Sequence, residues 1–441
     1  MKEPIYFLSL ELDGVRSFAN KQILDLSDGE GNWKKWTVIL GDNGLGKTSL
    51  LQAISSLEIV KISDFTNPNG FYFNLHRGLK PNQKNKAYKI SINAVLVKKS
   101  DNNIDNFSDT NKLGIIWESN EEGNSLSNSN EGEFFRNRFN REKYSMRIYS
   151  FGANRVMGTI SFADTLTNDN SETLFDDSKK LINAEEWLLQ LDYAASKESS
   201  IKAFALKKRD IVKQTLIDLL PDVTDVRFTE PEKNDLKSTI EFQTDFGWRR
   251  LQELSLGYRT MIAWMVDLAA RMFRDNPDSD NPLAEPAIVL VDEIDLHLHP
   301  KWQSNIFTYL SDKFPSCQFI VTAHSPLVVQ SAPKDANLVV LRKEGDKVII
   351  DNDIDSVRNW RLDQIMSSDL FGGTARNVEI ENELKERTTL LKKNELTKEE
   401  EKRLFKLNEM ANNLPTGSND TDIEAMQIIR KAADFIKSKS N

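Results

Sequence analysis

The sequence predicts an α/β fold with a mixed β-sheet at its core, an added antiparallel β layer and helical additions. Three observations carry this prediction. A glycine-rich turn, Gly41–Thr48, follows an apolar strand and opens a helical pattern. Two more apolar runs, 287–291 and 319–323, are continuous, which is typical of parallel strands covered on both faces. Residues 88–97 and 113–117 have the alternating pattern of an antiparallel layer.

The first half of the chain contains further strand patterns and polar stretches. Residues 5–12, 22–26 and 36–40 have the composition of strands, and the last of these leads into the glycine-rich turn. The stretches 100–112 and 119–133 are rich in Asn, Asp and Ser, so they predict exposed loops.

Helical patterns begin after Lys47 and return later in the chain. Apolar positions in 50–57 repeat at the spacing of one buried helical face. Residues 183–220 predict two helices, the first capped by Asn183 and the second ended before Pro221. A long apolar helix is predicted to start in 254–259 and reach Met272. Strand patterns lie at 223–228, 238–243 and Trp248.

Composition bounds the class of protein. The 441 residues are 39% hydrophobic and 28% charged, which is ordinary for a foldable chain, and no apolar run approaches the roughly 18 residues of a membrane span. The single cysteine, Cys317, excludes an internal disulfide. We therefore expect a cytoplasmic protein with no membrane contact. The net charge of −9 argues against a bulk nucleic-acid coat, but a local basic groove stays open.

The glycine-rich turn fits the pattern G-x-x-x-x-G-K-[ST] in the strand–loop–helix context of a phosphate-binding loop. Its backbone N–H groups can surround a triphosphate, and Lys47 would reach the β- and γ-phosphates of ATP. Thr48 would hold Mg²⁺ through its hydroxyl, and Ser49 would donate to the α-phosphate. The other loop residues expected to bind ATP are Asn43, Gly44 and Gly46.

Polar residues follow both buried apolar strands, at the edge where α/β sheets bind ligands. Asp292 would orient Mg²⁺ through water, and Glu293 would deprotonate the attacking water as general base. His324 would hydrogen-bond the γ-phosphate or that water. The alternative, two solvated acids, leaves their delivery by an apolar strand unexplained. His297 and His299 lack a third ligand, so they do not predict a metal site.

Two further segments have open interpretations. Residues 147–155 predict a strand ending in a glycine turn, and its Arg155 is either an active-site contact or a surface charge. After about residue 360, charged helices are predicted at 378–392 and 397–412, with a capping box between Thr397 and Glu400, and a last helix at 420–437. This tail is either a packing appendage or a surface for self-association or partner docking.

These patterns divide the chain into four predicted regions. They are an ATPase lobe with the phosphate-binding loop and the antiparallel layer, a helical insertion, a second ATPase lobe, and a helical region for oligomer or partner contacts. Their predicted bounds are 1–165, 166–235, 236–355 and 356–441.

The order of phosphate loop, Leu254-Ser-Leu-Gly-Tyr258, Asp292-Glu293 and His324 resembles the ABC-type P-loop ATPases of the SMC/RecF class. The resemblance implies that Ser255 and Gly257 complete the γ-phosphate site of a second copy, so that two copies close around ATP. It also makes His324 a switch residue and places Arg16 near the α-phosphate.

The segment Asp292–Pro300 resembles the short bacterial branch that includes the OLD and anti-phage defence ATPases. The helix from Ala184, the Leu-Gly-Tyr-Arg sequence and the helical tail resemble the PtuA family of Septu defence systems. This resemblance implies an ATPase switch that controls an HNH-type nuclease subunit. One departure is His299, which stands where transporters and SMC proteins carry an aspartate.

Two other functions remain open at this point. A RecF-like repair or recombination ATPase would act directly on DNA. The nucleotide-binding subunit of a transporter is disfavoured, because the signature lacks the usual Gly-Gly-Gln ending. Since no nuclease metal cluster is visible, cutting is expected to come from a separate subunit.

Overall fold

A computed structural model describes most of the chain. It covers residues 3–57, 147–159, 169–220, 222–231, 238–352, 365, 378–393 and 396–413, and the backbone of 59–61, 71–73, 88–96, 112–120, 123–128 and 144–145. These residues form two compact units, 1–365 and 366–441. None of the helices in these ranges combines the length and apolar composition needed to cross a bilayer.

The elements are named here in chain order. The strands are β1 (Glu3–Asp13), β2 (Gln22–Asp25), β3 (Trp36–Leu40), β4 (Ile59–Lys61), β5 (Phe71–Phe73), β6 (Tyr88–Leu96), β7 (Lys112–Asn120), β8 (Gly123–Asn128), β9 (Tyr144–Ser145), β10 (Ile148–Phe151), β11 (Val223–Phe228), β12 (Ile240–Thr244), β13 (Gly247–Arg250), β14 (Ala287–Val291), β15 (Cys317–Thr322), β16 (Asn337–Glu344) and β17 (Lys347–Asp351). The helices are α1 (Lys47–Ser55), α2 (Glu172–Phe175), α3 (Ala184–Ser196), α4 (Lys202–Leu219), α5 (Leu256–Asp275), α6 (Pro300–Gln303), α7 (Ile306–Lys313), α8 (Pro326–Ser331), α9 (Val378–Leu391) and α10 (Lys398–Asn413).

A six-stranded mixed sheet, in the order β10-β14-β15-β3-β16-β17, forms the centre of the first unit. The strands from β10 to β16 run parallel, and β17 pairs antiparallel with β16. Every residue of β3, β14 and β15 is buried, which explains their largely apolar sequences. Because these three strands are parallel, the residues that follow them meet at one edge.

The second sheet is the predicted antiparallel layer, in the order β2-β1-β6-β7-β8. The sequence prediction was wrong for part of 119–133, because Gly123–Asn128 forms strand β8 rather than a loop. β8 pairs with β7 in a tight hairpin, with Trp117 opposite Leu126. Ladder hydrogen bonds come from the backbone, so polar side chains on an edge strand do not prevent pairing. Most of 100–112 lies outside the described residues.

Helix α1 packs between the two sheets. Leu50, Leu51 and Ile54 are fully buried in one cluster with Phe7 of β1 and Leu290 of β14. Burial stabilises each such side chain by about 1.5–3 kcal/mol relative to exposure. The predicted apolar face therefore fixes α1, and with it the glycine-rich turn before it, against the central sheet.

Aromatic side chains cover the other face of the central sheet. Trp36 stacks on Phe319 with ring centroids 4.2 Å apart and meets Phe307 of α7 edge-on at 4.7 Å. Phe151 of β10 contacts Trp264 of α5 at 5.7 Å. The central sheet is thus covered on both sides, as predicted.

The predicted helices between the two halves of the sheet are present. Asn183 caps α3 by accepting the Glu186 N–H at 3.2 Å. In α5, the fully buried Asp267 pairs with Arg271 and accepts the Ile182 N–H at 2.9 Å. This buried carboxylate joins the start of α3 to α5, so the helical segment is anchored to the helix that begins near Ser255.

The described part of the second unit is a helical hairpin, α9 and α10. Its predicted capping box is confirmed, since the Thr397 hydroxyl accepts the Glu400 N–H at 3.3 Å and a Glu400 carboxylate oxygen accepts the Thr397 N–H at 2.9 Å. Arg403 bridges back to Glu386 at 2.7 Å. The predicted helix at 420–437 lies outside the described residues.

The fold class predicted from the sequence is confirmed.

Candidate nucleotide-binding site

The glycine-rich loop connects β3 to α1 and requires glycine at specific positions. Gly41, Gly44 and Gly46 have φ values of 140°, 80° and 99°, a region that favours residues without a Cβ. A Cβ on Gly46 would lie 2.4 Å from the Ser17 hydroxyl oxygen. The sequence therefore permits a tight turn that leaves the start of α1 facing the sheet edge, while Asn43 is exposed at the loop tip.

Lys47 is folded onto this loop. Its ammonium donates to the carbonyl oxygens of Gly41 at 2.6 Å and Asp42 at 2.9 Å, and the residue is only 6% exposed. Burial lowers the pKa of Lys47 from its ordinary value, an effect opposed by the nearby carboxylates, chiefly Asp292 and then Glu293. The loop thus holds its one buried ammonium at the place where phosphate oxygens are expected.

Thr48 and Asp292 meet directly at the sheet edge. The Thr48 hydroxyl donates to one carboxylate oxygen of Asp292 at 2.6 Å, and the Thr322 hydroxyl donates to the other at 2.5 Å. A hydroxyl and a carboxylate are the hard oxygen donors that suit Mg²⁺, which keeps several waters and binds through few protein ligands. The described residues contain no group of three or more His, Cys, Asp or Glu placed to hold a metal. By its own donor chemistry, the pair of Thr48 and Asp292 fits Mg²⁺ shared with a nucleotide.

Glu293 has an unusual backbone conformation. Its φ is 49°, in the left-handed region, and its N–H donates to the Thr322 hydroxyl at 2.7 Å. Its carboxylate is 3.8 Å from Nε2 of His324, and both side chains are about one-third exposed. The backbone N–H of His324 donates to the Asp295 carboxylate at 3.0 Å, which holds the residue in place. An acid and an imidazole thus face the same open edge beside Asp292.

Arg155 is neither a surface charge nor a side chain that contacts a carboxylate directly. It is 4% exposed, and its guanidinium donates to the backbone carbonyl of Glu293 at 2.8 Å, to that of Asp292, and to that of Gly152 at 3.1 Å. Burial lowers the pKa of Arg155 to about 10, an effect opposed by Asp292 and its neighbouring acids. It therefore stays charged at neutral pH beneath the two acids.

Arg16 lies beside the start of α1. One of its guanidinium nitrogens donates to the Ser49 hydroxyl at 3.0 Å and to Gln52 at 2.6 Å. Gln52 in turn donates to the carbonyl of Leu174 at 2.8 Å. Burial lowers the pKa of Arg16 from its ordinary value. The two residues predicted for the α-phosphate, Arg16 and Ser49, are thus brought together next to the loop.

Ser255 and Gly257 form a separate feature. Ser255 is exposed at the N-terminus of α5, and a Cβ on Gly257 would lie 2.5 Å from the carbonyl oxygen of His297. Both residues line a cavity of about 210 Å³ with His297 and His299, and none of its lining residues belongs to the phosphate loop. His299 caps α6, where its Nδ1 accepts the Lys301 N–H at 3.3 Å.

The structure gathers most of the predicted residues and adds three that the sequence reasoning missed. The phosphate loop, Arg16, Asp292, Glu293 and His324 surround the N-terminus of α1 and the adjacent strand ends, whereas Ser255 and Gly257 lie elsewhere. The additions are Thr322, Asp295 and Gln52. A hydroxyl ending an apolar strand and the i, i+3 spacing from Asp292 to Asp295 were the available signals.

Most of the chain matches a known family. A sequence profile described as "AAA domain, putative AbiEii toxin, Type IV TA system" matches residues 36–330, more than half of the sequence. The chain belongs to this family. The match contains the phosphate loop, Asp292, Glu293 and His324, so the predicted class, a P-loop ATPase with a nucleotide site, is confirmed.

The chain is also similar to individual proteins. The chain is 26% identical to "Septu protein PtuA" of Bacillus mycoides (strain KBAB4) over 400 residues, which are 90% of this chain and 49% of that protein. It is 32% identical to "Retron Ec83 probable ATPase" of Escherichia coli over 205 residues, 45% of this chain and 34% of that protein. It thus spans about half the length of the first relative and about a third of the second.

Among solved structures, the chain is similar to the SMC head domain from Thermotoga maritima, with a TM-score of 0.41 and 15% identity. The similarity covers 80% of this chain and 99% of that one.

Proposed function

We propose that this chain is an ATP-binding and ATP-hydrolysing switch subunit of a cytoplasmic anti-phage defence complex. The observation that supports it best is the hydrogen-bonded junction of three elements at one sheet edge. The Thr48 hydroxyl from α1, Asp292 after β14 and Thr322 at the end of β15 are joined at 2.6 and 2.5 Å. Glu293 and His324 follow directly, so binding groups and a candidate base share one position.

Each residue of this junction has a proposed task. Lys47 and the loop N–H groups would bind the β- and γ-phosphates of ATP. Thr48 and Asp292 would hold Mg²⁺, which when bound neutralises charge developing on the phosphates. Glu293 would accept a proton from the attacking water, and His324, 3.8 Å from it, would hydrogen-bond the γ-phosphate or that water.

The α-phosphate end of the nucleotide would lie beside Arg16 and Ser49, with Asn43, Gly44 and Gly46 forming the rest of the loop's phosphate contacts. Arg16 already donates to Ser49 at 3.0 Å. An arginine guanidinium is charged at neutral pH, so Arg16 can act as an anion-binding group.

The site is proposed to be shared between two copies of the chain. Ser255 and Gly257 line their own cavity without any phosphate-loop residue, and Ser255 is exposed at the N-terminus of a 20-residue helix. Such a helix end presents free N–H groups that favour a phosphate. One copy would therefore bring its α5 N-terminus to the γ-phosphate held by the other.

The defence role is supported by the names of the relatives, a Septu protein and a retron ATPase. We propose that the second unit docks an effector, an HNH-type nuclease, whose activity follows the nucleotide state. The α9–α10 hairpin carries exposed charged side chains, including the ion pairs Arg403–Glu386 and Lys393–Glu400. Docking that depends on such charges should weaken as salt is raised.

The test is to co-express the chain with its genomic neighbour, with and without residues 378–441, and to measure co-purification and ATPase rate. Loss of the neighbour with retained ATPase is expected. A truncated chain that still binds and regulates its neighbour would contradict the docking proposal. Tight DNA binding by the chain without any partner would favour the RecF-like alternative.

A further inference from the structure

The backbone around Glu293 is held in a conformation that residues with a Cβ rarely adopt. Its φ of 49° is one of four positive values among the described non-glycine residues. Left-handed backbone is unfavourable for an L-residue and persists only where surrounding contacts impose it. The direction in which the Glu293 carboxylate leaves the backbone therefore depends on whatever fixes this conformation.

Two groups fix it. The φ and ψ angles of a residue are set by the orientation of the peptide planes on either side of its Cα. Arg155 donates to the carbonyl oxygens of both flanking planes, those of Asp292 and Glu293, the latter at 2.8 Å. In addition, the hydroxyl of Thr322 accepts the Glu293 N–H at 2.7 Å. One guanidinium thus clamps both planes.

Arg155 is itself held firmly. It is 4% exposed, and the same guanidinium nitrogen that reaches Asp292 also donates to the carbonyl of Gly152 at 3.1 Å. Gly152 packs so tightly that a Cβ there would lie 2.1 Å from the carbonyl oxygen of Thr173. Arg155 is therefore anchored to the tightly packed end of β10, which pairs with β14 in the same sheet.

We propose that Arg155 is a positioning residue that sets the reactive geometry of Glu293 by holding its backbone in the left-handed conformation. The inference rests on the proposed role of Glu293 as general base. The guanidinium of Arg155 donates to carbonyl oxygens. The single ammonium of a lysine would do this only in part, because it lacks the planar fork of donors. Arg155 needs no contact with the nucleotide to affect the rate.

The experiment compares Arg155→Met and Arg155→Lys with the parent chain, at a temperature below each variant's Tm. Methionine keeps much of the apolar stem and removes every donor. A misplaced reacting group costs about a hundredfold in rate, so kcat should fall by about that factor in Arg155→Met and by less in Arg155→Lys. The Kd for a non-hydrolysable ATP analogue should stay within about threefold of the parent, since uniform binding is not the lost interaction.

A double-mutant cycle separates positioning from general structural damage. In a Glu293→Gln background, adding Arg155→Met should lower kcat by a further factor of less than about three. The reason is that the effects of mutating residues that act as a unit do not add. The matched control is Arg274→Met, which removes a guanidinium that bonds Asn170 and Asp275 far along α5. Its kcat should remain near the parental value.

The outcomes distinguish this inference from the proposed function. A parent chain that hydrolyses ATP while Arg155→Met retains its kcat would overturn the inference alone. An equal fold-loss in the parental and Glu293→Gln backgrounds would also overturn it, because Arg155 would then not act through Glu293. A parent chain with no ATPase activity would overturn the proposed function, and the inference with it.

Discussion

Replacing Glu293 by glutamine separates hydrolysis from binding. Gln keeps the size of the side chain and leaves the backbone contacts of Glu293 to Thr322 and Arg155 in place. Loss of a general base typically costs 10²–10⁴ in rate, which corresponds to about 2.7–5.4 kcal/mol of transition-state stabilisation at 1.36 kcal/mol per tenfold. We therefore expect ATP hydrolysis to slow by at least about a hundredfold.

Nucleotide affinity should not fall in Glu293→Gln. Glu293 is one of the carboxylates that influence the pKa of Lys47, so it lies within electrostatic reach of the phosphate site. Removing its negative charge reduces repulsion of an anionic ligand. Lys47→Ala should instead lose binding, because it deletes the only buried ammonium of the loop.

The assay is phosphate release, with binding followed by a fluorescent ATP analogue. Glu30→Gln, an exposed loop residue remote from the sheet edge, controls for the loss of one carboxylate and should behave as the parent. Hydrolysis at the parental rate by Glu293→Gln would show that Glu293 is not the base.

Ser255→Arg should leave nucleotide binding nearly intact but abolish hydrolysis, and mixing it with Lys47→Ala chains should restore at most one competent site per dimer; full turnover at high dilution would rule out a shared site. Gly46→Ala should weaken ATP binding by about tenfold, because a left-handed L-residue costs about 1–2 kcal/mol and its Cβ would lie 2.4 Å from a hydroxyl oxygen. The control is Gly29→Ala, where φ is also positive but nothing lies within 4 Å of the added Cβ. Equal ATP affinity in the two variants would contradict this reasoning. Burial raises the pKa of the Cys317 thiol to about 12, so a thiol reagent at pH 8 should label it only after denaturation, and rapid labelling of native protein would show that β15 is not buried.

The centre of the fold could be predicted because its sequence signals are local. β14 is a short, wholly apolar run and β3 and β15 are largely apolar, and the G-x-x-x-x-G-K-[ST] spacing identifies the loop without any tertiary information. That parallel strands end at one edge then brings Asp292 and His324 to the loop. The meeting of these residues follows from sheet geometry alone.

The contacts that could not be predicted depend on pairing between distant segments. Arg155 reaches the carbonyls of Asp292 and Glu293 only because β10 pairs with β14, and nothing in either sequence specifies that neighbour. Thr322 acts through a hydroxyl on an otherwise apolar strand, where a β-branched residue is expected for packing alone. Strand β8 has polar side chains, so its pairing with β7 leaves no periodic signal.

Strand β3 is synthesised long before the strands that flank it. Its two neighbours, β15 and β16, come from Cys317–Thr322 and Asn337–Glu344. At translation rates of about 5–20 residues per second, the nascent strand waits about 15–60 s for them. During that time the backbone N–H and C=O groups on both edges of β3 lack partners, a state that invites aggregation and chaperone binding. Asp292 and Thr322 also emerge late, so a growing chain cannot form the nucleotide site until most of the first unit has left the ribosome.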